Sequence, residues 1–118
     1  MSKKKALRHN KNKPPSSYIL HYPKVIEVIA RILEAGEVKY KRLNWKIGGN
    51  TDESYLDAAI RHMSKFVNGD PFDEEYGTHH LGHAIWNLMT LFELNGHEIM
   101  DSVKFNKALK DLAKKKNV

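Results

Sequence analysis

The sequence predicts an all-α fold: a small bundle of about four helices flanked by basic, flexible tails. Three observations predict it. Apolar residues recur at helical spacing in several long segments. Cap and stop residues stand at the ends of those segments. No run of five or more residues alternates convincingly as a strand would. The 118 residues suffice for one domain with a modest core.

Residues 1–17 read as a basic arm ending in KPPSS, where two prolines disfavour helix. A helical domain follows over 18–103, and a basic helix or tail over 104–118. The first helix starts at Pro23, a residue suited to a first turn. Val25, Ile29, Ile32, Leu33 and Gly36 fall on one side of it. KRLNWKIGGN is a loop with a turn at Gly48-Gly49. Thr51 or Asp52 caps the second helix, which Asn68-Gly69 ends. DPFDEEYG is an acidic connector. Thr78 caps a third helix running to Asn95-Gly96. A weaker fourth covers about 98–114, with Ile99, Phe105, Leu109 and Leu112 facing inward. Four short helices bury only part of their apolar faces. Trp86, off the core arc of the third helix, and the spare aromatics Tyr55 and Phe66 point to a homo-oligomer, unless a loop covers them.

There is no cysteine, which excludes disulfides, thiolate metal sites and cysteine nucleophiles. No apolar run is long enough to span a membrane, and no secretory signal follows the basic start, so a soluble cytoplasmic protein is expected. The formal net charge of +6 is uneven. Six basic residues fall in 1–13 and six in 104–118, leaving eight bases against thirteen acids between them. A duplex reader would carry its positive charge on a folded face. Here the tails carry it, so contact with nucleic acid would run through the tails, if they are not simply solvated.

The third helix places His79, His80 and His83 at its entrance. At about 100° per residue, Leu81, Ala84, Ile85, Leu88, Leu91 and Phe92 form the expected core arc. His80, His83 and Asn87 run along its edge, at i, i+3 and i+7. Three side chains so spaced can reach one object in a groove; the plainer alternative is a set of satisfied buried histidines. Near a helix N-terminus the dipole disfavours imidazolium, which suits metal ligation or hydrogen bonding. His62 sits at the edge of the second helix's apolar arc. Arg61 falls on the far side, from which it can swing to a phosphate or pair with Asp57. Lys39 falls on the inward arc beside Gly36, as though an amine met an anion in a pocket, or snorkelled past it. Glu34 and Glu37 form an E-x-x-E pair, read either as carboxylates aimed at a metal or as an ordinary charged face. Asp70, Asp73, Glu74 and Glu75 supply hard oxygens suited to Mg2+ or Mn2+.

Taken together, GEVKY–KRLNW, AAIRHMSKFVNGDPFDEEYG and HHLGHAIWNLMTLFEL resemble a phage and prophage family, the N-terminal domain of dATP/dGTP diphosphohydrolases. The resemblance covers about 25–94. It implies an all-α, MazG-like fold, often oligomeric and magnesium-dependent. It maps onto Lys39, Tyr40, Asn44, Trp45, Arg61, His62, Asp73, His80, His83 and Asn87. MazG-like enzymes hold magnesium with two carboxylate pairs. Here Glu34/Glu37 stand for the first pair, and His80, His83 and Asn87 stand where the second would fall.

The leading expectation is metal-dependent hydrolysis of a purine (deoxy)nucleoside triphosphate to monophosphate and pyrophosphate. Asp73, His80, His83 and Glu37 are the expected metal ligands. Lys39, Arg61 and His62 are the expected catalytic groups. Lys39, Tyr40, Asn44, Trp45, Arg61 and Asn87 are the expected nucleotide contacts. Two alternatives stand beside it. One is a non-catalytic nucleotide binder with which a phage sequesters nucleotide signals of host defence. The other is a basic-tailed accessory that binds nucleic acid or protein.

Overall fold

A computed structural model describes residues 4–9, 13–75, 77–100 and 102–116, without the side chains of 97–99. Parts of the expected arm (1–3, 10–12), the end of the tail (117–118) and the side chain of Ile99 therefore lie outside the described residues. The chain is an all-α bundle of four helices: α1 Pro23–Lys39, α2 Asp52–Val67, α3 His80–Met100 and α4 Val103–Lys116. Short 3-10 turns cover Ser16–His21, across the expected end of the arm, and Asn44–Ile47. Among the described residues the β structure is an isolated bridge between Phe72 and His79. No helix among them is long and apolar enough to cross a membrane.

Local chemistry sets the helix ends. Pro23 opens α1. The Thr51 hydroxyl accepts the Ser54 amide and caps α2. At the other end Asp70 N–H bonds the Lys65 carbonyl and Gly69 N–H that of Phe66. That is a Schellman closure, which needs the positive φ of Gly69, +87°. Two expected ends differ. The Thr78 hydroxyl is engaged by the His83 ring, and the His79 imidazole takes the capping role, accepting the Leu81 amide at 3.1 Å. α3 also continues through Gly96 to Met100; Gly96 is buried inside the helix and ends nothing.

Both α1 and α2 pack on α3. The buried apolar residues are Ile29 and Ile32 of α1, Tyr55 and Ala59 of α2, and Ala84 of α3. The expected core arc of α3 is corrected. His80, Asn87 and Thr90 are buried with Ala84, while Leu81, Ile85, Leu88 and Phe92 are exposed. Gly82 gives the reason. A methyl group there would sit 2.5 Å from Val28 Cγ2, so α1 approaches the bare backbone and turns the leucine arc away. Of the inward residues expected on α4, Phe105 is half-buried but Leu109 and Leu112 are exposed. Tyr55 is buried and Trp86 half-buried, so neither is spare for an oligomer.

Candidate functional site

A cleft of about 560 Å³ opens between the C-terminal half of α1, the 40–50 loop and the facing sides of α2 and α3. That is the size of a small-ligand pocket. Glu37, Lys39, Tyr40, Asn44, Trp45, His62, His83 and Asn87 line it, so most of the expected site residues meet on one cavity. Arg61, Asp73 and His80 are not among its lining residues. Arg61 is exposed on the outer side of α2. His80 is 1% exposed, because α3 turns that edge inward. The expectation that His80 faces a groove is therefore corrected.

The loop supplies what the sequence reading missed. Lys41 and Arg42 join Lys39 on the cleft, and Lys46 lies over the Trp45 ring at 5.7 Å. Leu43 has φ +60°, a left-handed conformation that costs a bulky residue about 1–2 kcal/mol. It folds the loop back so that Asn44 and Trp45 reach the cavity. Neighbours hold some of the charges. Lys39 Nζ lies 3.1 Å from the Glu75 carboxylate, and Arg42 Nε lies 3.4 Å from Glu37. The indole N–H groups of Trp45 and Trp86 are buried without a hydrogen bond. The Asn87 amide donates to the His83 carbonyl at 2.8 Å, one turn back on α3.

Behind the cleft the histidines form a cluster. The acidic connector closes on itself: Asp73 N–H bonds the Thr78 carbonyl, Gly77 N–H that of Asp73 and His80 N–H that of Pro71, each at 2.8 Å. This brings Asp73 to 3.9 Å from His83 Nε2 and Asp70 to 3.7 Å from His80 Nε2. His62 Nδ1 and His80 Nδ1 share a hydrogen bond of 2.9 Å. The His62 and His83 rings stack at 4.7 Å. Thr78, expected as a helix cap, and Asp70, expected among the connector's oxygen donors, are thus partners of His83 and His80; their nearness in the chain to the histidines was the available signal.

Around the cleft these side chains engage one another: His62 and His80 use their Nδ1 atoms on each other, and the Glu37 carboxylate pairs with Arg42. Among the described residues no three of His, Asp and Glu are grouped as ligands of one ion.

Burial is the main force on His62, with His83, His80 and Arg61 adding to it and Asp73 opposing. Together they push its pKa from 6.5 down to about 4. His83 also moves down, first through burial, with Asp73 pulling the other way and His80 adding to the fall. The unfolded chain therefore protonates His62 below about pH 6.5, while the folded chain holds out to about 4. Stability is complete above pH 6.5 and falls as the pH drops through this window. For a partly exposed group the loss is about 1 kcal/mol. Melting temperatures at pH 7 and pH 4.5 should differ by less in His62→Gln than in the wild type. An equal difference in both would remove His62 as the cause.

Fold and site together define a small all-α domain with one cationic cleft backed by neutral imidazoles. The family described as dATP/dGTP diphosphohydrolase, N-terminal, matches residues 3–102, and the chain belongs to that family. It is 36% identical over 104 residues to a dATP/dGTP diphosphohydrolase of Salmonella phage PMBT28. The match covers 87% of this chain and 34% of the phage protein, so the chain spans about a third of that relative's length. No solved structure matches the chain.

Proposed function

We propose that the cleft binds a purine (deoxy)nucleoside triphosphate and hydrolyses it to monophosphate and pyrophosphate. One observation carries this reading: cations, aromatic rings and imidazoles converge on a single nucleotide-sized cavity, in a chain whose phage relative is named a dATP/dGTP diphosphohydrolase. Lys39, Lys41 and Arg42 meet the phosphates. Tyr40 or Trp45 stacks on the base. Asn44 and Asn87 offer hydrogen bonds to base or sugar. Mg2+ or Mn2+, bound with the triphosphate it complexes, would neutralise phosphate charge. Incubation with a panel of nucleotides plus either metal tests the reading, following both pyrophosphate release and intact nucleotide retained. Release from dATP or dGTP is expected. Retention of intact nucleotide without release would replace hydrolysis by sequestration.

The same domain is proposed to work as a homo-oligomer. Leu56, Ile60 and Met63 form an exposed stripe on α2, with Ile60 60% exposed. Leu81, Ile85, Leu88 and Phe92 form another on α3, with Phe92 52% exposed. Such an apolar area on a small domain marks an interface, and a two-fold axis would let it cover itself. Light scattering should give at least twice the 13.6 kDa of the chain, and Ile60→Lys should reduce it to the monomer mass. A wild-type mass near 13.6 kDa at micromolar concentration would end this proposal.

A further inference from the structure

The 2.9 Å contact between His62 Nδ1 and His80 Nδ1 admits one proton, so one ring donates and the other accepts. His80 decides which. Its ring is 1% exposed, and its Nε2 is sealed from water without a hydrogen bond. The Asp70 carboxylate stands 3.7 Å from that nitrogen. A bare Nε2 would aim its lone pair at an anion; a protonated Nε2 turns the positive end of the N–H dipole toward it. The second arrangement is favourable and the first repulsive. His80 therefore carries its proton on Nε2 and accepts at Nδ1. His62 must then donate from Nδ1, which leaves its own Nε2 bare.

The backbone holds this order in place. The Asp70 amide is tied to the Lys65 carbonyl at 3.0 Å by the turn that closes α2, and the His80 amide to the Pro71 carbonyl at 2.8 Å. The backbone positions that carry the carboxylate and the buried ring are thus both tied down. The His83 ring lies nearly parallel to His62, at 15°, and sets its plane. His62 lines the cleft and His80 does not, so the nitrogen of His62 left unspent is the one available to the cavity.

We propose that Asp70, His80 and His62 form a relay that presents the unprotonated Nε2 of His62 to the cleft, where it takes the proton of the attacking water. Asp70 and His80 are positioning residues, and His62 is the base. The water oxygen bonds to the α-phosphorus while one water proton passes to His62 Nε2. The bridging P–O bond to the β-phosphate breaks, and its electron pair leaves on pyrophosphate. His62 then releases the proton to solvent. The identity of the reaction rests on the hydrolase reading above; the placement of the ring protons does not.

Ring nitrogen chemical shifts of the 15N-labelled protein test the relay without substrate. Wild type should show His62 protonated at Nδ1 and His80 at Nε2. In Asp70→Ala the preference should become mixed. This side chain is 54% exposed, so its truncation leaves no cavity. With dATP or dGTP and magnesium, Asp70→Ala should lower kcat about 10–100-fold, the range seen when an orienting partner is lost, with KM changed less than about threefold. His62→Gln should lower kcat by about 10²–10⁴. A proton on Nε2 of His62 in the wild type overturns the relay, whatever the variants do. So does Asp70→Ala with wild-type tautomers and wild-type kcat. The two readings fail separately. Assigned tautomers in a protein that releases no pyrophosphate uphold the order of the ring protons and remove the hydrolase reading together with the base role of His62. The opposite tautomers in a protein that hydrolyses dATP or dGTP remove only the relay.

Discussion

Gly82→Val should lower the melting temperature by more than 10 °C. Gly82 lies in the first turn of α3, where α1 comes closest. A methyl there would meet Val28 Cγ2 at 2.5 Å and Ile32 Cδ1 at 3.1 Å. Val28 is β-branched and stiff at χ1, and Ile32 belongs to the core, so neither gives way without moving α1. Alanine at this site gains about 1 kcal/mol of helix propensity but suffers about 1–3 kcal/mol of overpacking, a small net loss. Valine adds two further carbons to the same gap, and about 3 kcal/mol corresponds to some 12–24 °C in a domain of this size. Gly36→Ala is the matched control. It is also in a helix, but nothing lies within 4 Å of the added carbon, so it should raise the melting temperature. Calorimetry on the three variants checks the argument. Wild-type stability in Gly82→Val would show that α1 and α3 are not in close contact.

The same glycine explains what could be read from the sequence and what could not. The first two helices were legible because their ends are local chemistry: Pro23 in a first turn, Thr51 as a cap, Asn68-Gly69 as a stop. The inward face of α3 was not. Hydropathy ranks four large apolar residues, Leu81, Ile85, Leu88 and Phe92, above His80, Asn87 and Thr90. Which side turns inward was decided by the absence of a Cβ at Gly82 and by the hydrogen bonds of His80 and Asn87. Hydropathy does not tell an exposed apolar stripe from a buried one, so the stripe reads as core. In the cleft, Lys39, Tyr40, Asn44, Trp45, His62, His83 and Asn87 could be found by residue type and order. Lys41 and Arg42 could not, because their placement depends on the left-handed turn at Leu43, which no residue preference announces. Helical periodicity puts Arg61 on the far side of α2, and the structure has it exposed there, off the cleft lining.

His83→Ala should cost about 100-fold in pyrophosphate release while leaving the fold in place. The side chain is 13% exposed and does three things at once. It forms part of the cleft wall, its face stacks on His62, and its Nε2 bonds the Thr78 hydroxyl with Asp73 3.9 Å away. Truncation removes the surface that keeps the His62 ring in its plane, so the proton acceptor is no longer aimed; losses of general-base alignment fall at about 10²–10⁴. The stability cost is smaller. Thr78 and Asp73 sit on a surface hairpin and can turn to water, and the space vacated opens into an existing cleft and makes no closed cavity. Loss of the hydrogen bond then costs about 1 kcal/mol. Thermal unfolding and pyrophosphate release on this one variant separate the two roles. A drop of about 3 kcal/mol or more with unchanged release, the result expected of a buried anchor with orphaned partners, would make His83 architecture and move the reacting centre elsewhere in the cleft.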